Sequence, residues 1–82
     1  MDKILVTIYV LALEESYDIL IPINLNCKEA LNMIQDTIKE LSEEIYEVNP
    51  SALLYTEDGK LINLNNNIKF SGLTNGCKVL LK

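Results

Sequence analysis

Cys27 and Cys77 carry the thiols, and Glu40, Glu43, Glu44 and Glu47 form the densest acidic cluster in a chain that has no His. A thiolate nucleophile needs a neighbouring base or cation to hold its pKa down. Neither cysteine has an Arg, a His or a second Cys nearby in sequence, so both read as reduced, chemically silent thiols. At 50 residues apart they are also too few and too widely spaced for a disulfide framework or a zinc site. The glutamates lack the Asp-x-Asp-x-Asp-Gly loop of a calcium site and read as a solvated face. The missing imidazole removes the commonest general base and metal ligand, so no nucleophile, base and orienting group can be assembled. The expectation is a non-enzymatic protein with no catalytic residue, cofactor or metal.

Charge narrows the partners. Twelve acidic residues against seven basic ones, every one a Lys, give a net charge of −5 over 82 residues. With no Arg and no basic stripe, nucleic acid is repelled rather than steered, and an anionic lipid surface is disfavoured too. The longest apolar run, Ile4 to Leu13, is interrupted by Thr7 and stops at Glu14-Glu15. It falls short of the roughly 18 apolar residues a membrane helix needs, and it lacks a signal peptide's basic flank and cleavage site. A cytoplasmic chain is expected, placed at the membrane only through a protein partner.

The length suits a single domain, residues 1–82, since a chain of this size cannot support two cores. From Lys3 to Leu11 apolar residues alternate with period two, putting Ile4, Val6, Ile8 and Val10 on one face and Leu5, Thr7, Tyr9 and Leu11 on the other. A second alternating segment groups Tyr17, Ile19 and Ile21 and stops at Pro22, which cannot donate to a ladder. The two form a hairpin. Asn26 and Glu29 make a capping box ahead of Cys27, Leu31, Ile34, Ile38, Leu41 and Ile45, one face of a helix closed by Asn49-Pro50. Lys28, Glu29, Asn32, Asp36, Lys39 and the four glutamates occupy the wet face. Ala52–Thr56 and Lys60–Leu64 flank Glu57-Asp58-Gly59 as strands three and four. Ile68, Phe70 and Leu73 plug an irregular connection, and Asn75-Gly76 turns into a fifth strand, Cys77–Lys82. The predicted core is Ile4, Val6, Ile8, Ile19, Ile21, Leu31, Ile34, Ile38, Leu41, Leu53, Val79 and Leu81.

Strand, strand, helix, then three strands is an α+β order with the helix on one face of a mixed sheet. The whole chain resembles the β-grasp, or ubiquitin-like, fold (ββαβββ). Within it the chain is similar to the small YukD-type accessory proteins of type VII (ESX-type) secretion systems in Gram-positive bacteria. The likeness rests on Ile4-x-Val6-Thr7-Ile8-x-Val10, on Tyr17-Asp18-Ile19-Leu20-Ile21-Pro22 and on Leu73-x-Asn75-Gly76-x-x-Val79-Leu80-Leu81. Cys77 departs from that pattern, which often has Asp there.

The resemblance implies an interaction module that contacts or regulates membrane-embedded components of the secretion machine. Ubiquitin-like modifiers and sulfur carriers, the other class open to this fold, act through a flexible Gly-Gly tail, whereas this chain stops at Leu80-Leu81-Lys82. In the strand order 2-1-5-3-4 implied by the fold, Leu5, Tyr9, Leu54 and Leu80 adjoin on the uncovered sheet face. They form a predicted protein-interaction patch, for a partner or for a second copy in a homodimer.

Overall fold

The computed structural model describes residues 2–82. Strand β1 (Lys3–Val10) and strand β2 (Glu15–Pro22) form the expected antiparallel hairpin, with Ile4 opposite Ile21, Val6 opposite Ile19 and Ile8 opposite Tyr17. Strand β4 (Cys77–Leu81) runs parallel to β1, and strand β3 (Leu54–Thr56) pairs antiparallel with β4. The sheet order is β2-β1-β4-β3, so the sequence-terminal strand lies at the centre. Helix α1 (Cys27–Leu41) lies across one face. This is the β-grasp architecture.

Burial follows the period-two phase. Ile4, Val6, Ile8, Val10, Ile19, Ile21, Val79 and Leu81 form the inner face of the sheet and meet Cys27, Leu31, Ile34 and Ile38 of the helix in one buried cluster. The capping box forms as predicted: Glu29 N donates to Asn26 Oδ1 at 2.8 Å, and Asn26 N donates to Glu29 Oε1 at 3.2 Å. The Asn75-Gly76 turn docks on β1, where Leu5 N donates to Asn75 Oδ1 at 2.7 Å and Gly76 N to Leu5 O at 2.6 Å.

Four expectations need correction. The helix ends at Leu41 rather than running to Asn49, and Leu41 is 56% and Ile45 73% exposed, so neither belongs to the core. Buried Gln35 holds the chain that follows the stop. Its Oε1 accepts from Tyr46 OH at 2.7 Å and from Asn49 N at 2.8 Å, and its Nε2 donates to Asn49 O at 3.1 Å. These bonds fold the following segment back on α1, with Glu43 and Glu44 in left-handed backbone conformation at φ 56° and 66°.

The phase of the third strand is the reverse of that predicted. Leu54, expected outward, is 1% exposed, and Leu53, expected in the core, faces out. The reason is register, since Leu54 stands opposite inward-facing Leu81 in the β3–β4 pair. Among the described residues Lys60–Leu64 makes no full strand: Ile62 N donates to Leu54 O at 2.9 Å and Thr56 N to Lys60 O at 2.8 Å, and together they leave one isolated bridge, Tyr55 to Leu61. The sheet therefore has four strands rather than five. In the irregular connection Ile68 is buried and Leu73 partly so, while Phe70 points to solvent.

Candidate functional site

The outer face of the sheet carries the alternate residues of each strand, opposite the helix. Its central row is Thr7, with Asp18 on one side and Lys78 on the other, and Thr7 Oγ1 donates to Asp18 Oδ1 at 2.7 Å. This polar row divides the apolar surface in two.

Toward one end, Tyr9 pairs with Leu80, and Leu80 with Tyr55 of β3, giving an aromatic–aliphatic–aromatic row across three adjacent strands. Neighbouring strands lie about 4.8 Å apart, so such a row is continuous in contact. The Lys82 ammonium lies 5.6 Å from the Tyr55 ring centroid and leaves the row with a cationic border. Toward the other end, Leu5 pairs with Leu20 of β2. Leu5 and Tyr9 are 39% and 38% exposed, and Leu80 is half-buried between its neighbours.

Of the four predicted patch residues, the structure brings Tyr9 and Leu80 into contact register and sets Leu5 apart beyond the Thr7 row. Leu54 lies in the core, and Tyr55 takes the place expected for it. Leu20 and Tyr55 are the residues that sequence reasoning missed. Leu20 had a clear signal, because it sits between inward-facing Ile19 and Ile21 and must face out. Tyr55 had none, because Ala52-Leu53-Leu54-Tyr55 is apolar in both phases.

The thiols occupy separate environments. Cys27 is buried at the start of α1, and burial pushes its thiol pKa up, against a weaker opposing effect from its hydrogen bond with Ser71. Cys77 is half-buried beside Thr56, Asp58 and Lys78 in a shallow depression. A thiol whose ionisation is suppressed is a poor nucleophile. Among the described residues no three of His, Cys, Asp and Glu converge as metal ligands, and no helix is long and apolar enough to cross a membrane.

No protein-family model matches the chain, and no curated protein matches it by sequence. Solved structures do match. The ubiquitin-like domain of the Mycobacterium tuberculosis type VII secretion system protein EccD1 superposes with a TM-score of 0.74 at 13% identity, covering 99% of this chain and 98% of that one. The EccD5 ubiquitin-like domain from Mycobacterium xenopi gives 0.72 at 13% identity over 100% and 94%. A chain of a MycP5-free ESX-5 inner membrane complex gives 0.72 at 14% identity, with all of this chain matching 21% of that one. At such identities the likeness is one of fold, and the fold is ubiquitin-like.

Proposed function

We propose that the chain is a non-enzymatic ubiquitin-like interaction module, an accessory or regulatory component of a type VII secretion system of the YukD type in Gram-positive bacteria. It works on the cytoplasmic side and binds a membrane component of the machine through the outer face of its sheet. The observation that carries this reading is the Tyr9–Leu80–Tyr55 row with the Leu5–Leu20 pair, large apolar side chains on the wet side of all four strands. An isolated domain lowers its free energy by placing polar residues there, and a partner that covers the row removes the penalty. The full-length fold match to EccD ubiquitin-like domains supports the setting.

The test is single substitution of Leu5→Glu, Leu20→Glu, Tyr9→Glu and Leu80→Glu in the native host. Circular dichroism reports the fold, light scattering after size exclusion reports self-association, and export of the system's substrates reports function. Anchors at interface centres contribute about 2 kcal/mol or more, so a buried charge at Tyr9 or Leu80 should abolish export while the domain stays folded. Folded variants that export like the parent would remove the sheet face from the interface.

A further inference from the structure

In the turn that leads into β4, Asn75 is followed by Gly76, the one place in the sequence where an asparagine precedes a glycine. A backbone nitrogen can attack the side-chain amide of the residue before it, and a glycine nitrogen is the least hindered because no Cβ stands beside it. After every other asparagine the next residue carries a side chain. Asn75 and Gly76 are both exposed, Gly76 has φ 86°, and nothing lies within 4 Å of the position a Cβ would take there. By sequence and by access, this amide is the reactive one.

The fold holds both reacting groups on one residue. The β1–β4 ladder begins at Val6 opposite Cys77, and ahead of it the turn stands in for a strand: Leu5 N donates to Asn75 Oδ1 at 2.7 Å, and Gly76 N donates to Leu5 O at 2.6 Å. The nucleophile therefore keeps its proton on Leu5 O, while the amide it would attack is turned to Leu5 N. For the Gly76 nitrogen to lose that proton and reach Asn75 Cγ, the first bond must break and the side chain must swing off the second. Both losses amount to lifting the turn from β1, a local opening of the kind native proteins undergo.

We propose that Asn75 is a self-modification site, kept closed by the docking of its turn on Leu5. When the turn lifts, the Gly76 nitrogen gives its proton to a solvent base and bonds to Asn75 Cγ; the Cγ–Nδ2 bond breaks, ammonia leaves, and a succinimide ring remains. Water then opens the ring at one of its two carbonyls. Cleavage at the former side-chain carbonyl leaves aspartate, whereas cleavage at the backbone carbonyl leaves isoaspartate, with the main chain running through the side-chain carbons. Aspartate keeps an acceptor for Leu5 N. In isoaspartate the former Oδ1 becomes a main-chain carbonyl oxygen, and an extra carbon separates the Cα from Gly76 N, so the two bonds to Leu5 cannot re-form together. The reaction records each opening irreversibly, and its isoaspartate product leaves the start of β4 undocked.

The experiment incubates the full chain at mildly alkaline pH, folded in buffer and unfolded in guanidinium chloride. Peptide mapping by mass spectrometry follows the exchange of NH₂ for OH, and an isoaspartate methyltransferase reports the second product. In the unfolded chain Asn75 should react before any other asparagine and give both products. Isomerisation at Asp58-Gly59 expels water instead of ammonia and gains no mass, so the map separates it. In buffer the rate should fall roughly tenfold or more, since reaction through an opened state tracks the population of that state. The slowing should be at least as large as the hydrogen-exchange protection of the Gly76 amide, because exchange needs only one of the two bonds to break. Asn75→Asp, which keeps the acceptor, should protect the Leu5 amide as the parent does, and the refolded isoaspartate chain should not. Equal rates in buffer and in guanidinium would overturn the proposal. So would earlier reaction at another asparagine, or an isoaspartate chain that protects the Leu5 amide like the parent.

Discussion

Gln35 shows how one side chain shapes the course of the chain around it. It lies on the helix phase next to Ile34, is buried, and satisfies three polar groups of residues 46 and 49 with its single amide. A buried donor or acceptor left without a partner costs about 1–3 kcal/mol, while one lost hydrogen bond with no orphan costs about 0.5–1.5 kcal/mol. Gln35→Leu should therefore destabilise by roughly 2–4 kcal/mol, and Tyr46→Phe by about 1 kcal/mol, in urea unfolding. The Asn49 amide should lose hydrogen-exchange protection in Gln35→Leu before the sheet does. The thiols allow a second prediction. Because burial raises the Cys27 thiol above its ordinary value in the fold, the unfolded chain releases that proton first, so this contribution to stability is complete below the unfolded thiol pKa of about 8.5 and is lost as pH rises through the folded value. Tyr46, also raised by burial, extends the loss to higher pH. Cys27→Ala should flatten the first part of this alkaline decline, at some cost in packing. In the native state a thiol reagent should modify half-buried Cys77 and spare Cys27. A Cys27→Ala, Cys77→Ser double variant that folds yet stops export would instead point to thiol chemistry.

At the scale of elements, what could be read from sequence tracks how strongly one period dominates. Strict alternation in Lys3–Val10 and Glu15–Pro22 determines both strands and their facing, because a slip by one residue would turn every apolar side chain outward. The helix start was equally readable, since Asn26 and Glu29 satisfy orphan amides by themselves. Its end was not. Leu41 and Ile45 continue the apolar spacing, and the contacts that hold the chain beyond the stop come from Gln35, a residue whose polarity suggests the wet face. In Ala52–Tyr55 both phases are apolar, and only the pairing of Leu54 with Leu81 decides which side is buried. Of the candidate site, Tyr9, Leu80 and Leu5 followed from alternation, and Tyr55 from tertiary register alone. The helix end also gives a sign test. Glu44 sits at φ 66°, where glycine carries no Cβ penalty, so Glu44→Gly should raise the unfolding midpoint. Lys39→Gly, inside the exposed last turn of α1, should lower stability by roughly 0.5–1 kcal/mol. If both substitutions destabilise, α1 continues past Leu41 in solution. Ile34→Ala, at the centre of the helix face against the sheet, should cost roughly 2–5 kcal/mol.

For the whole molecule the decisive feature is that β1 and β4, from opposite ends of the chain, are central neighbours joined in parallel. Neither α1 nor the β1–β2 hairpin can be stable without β4: the 15-residue helix sits at the limit of about 12–15 residues below which an isolated helix is marginal in water, and a two-stranded hairpin buries too little. The same strand that closes the core through Val79 and Leu81 sets Leu80 between Tyr9 and Tyr55, so the outer row exists only when the fold is complete. The proposed interaction row and the core thus draw on alternate residues of one element, and the two should separate cleanly by mutation. Leu81→Ala should cost roughly 2–5 kcal/mol. Leu80→Glu, one residue away, should leave the molecule folded and affect binding instead. Deleting residues 77–82 should abolish cooperative unfolding altogether, leaving a chain with residual helical signal, no dispersion of amide resonances and no melting transition. A deletion variant that still melts cooperatively would mean that β1, β2 and α1 form a core without β4, and that the outer row is an accessory to the fold rather than its consequence.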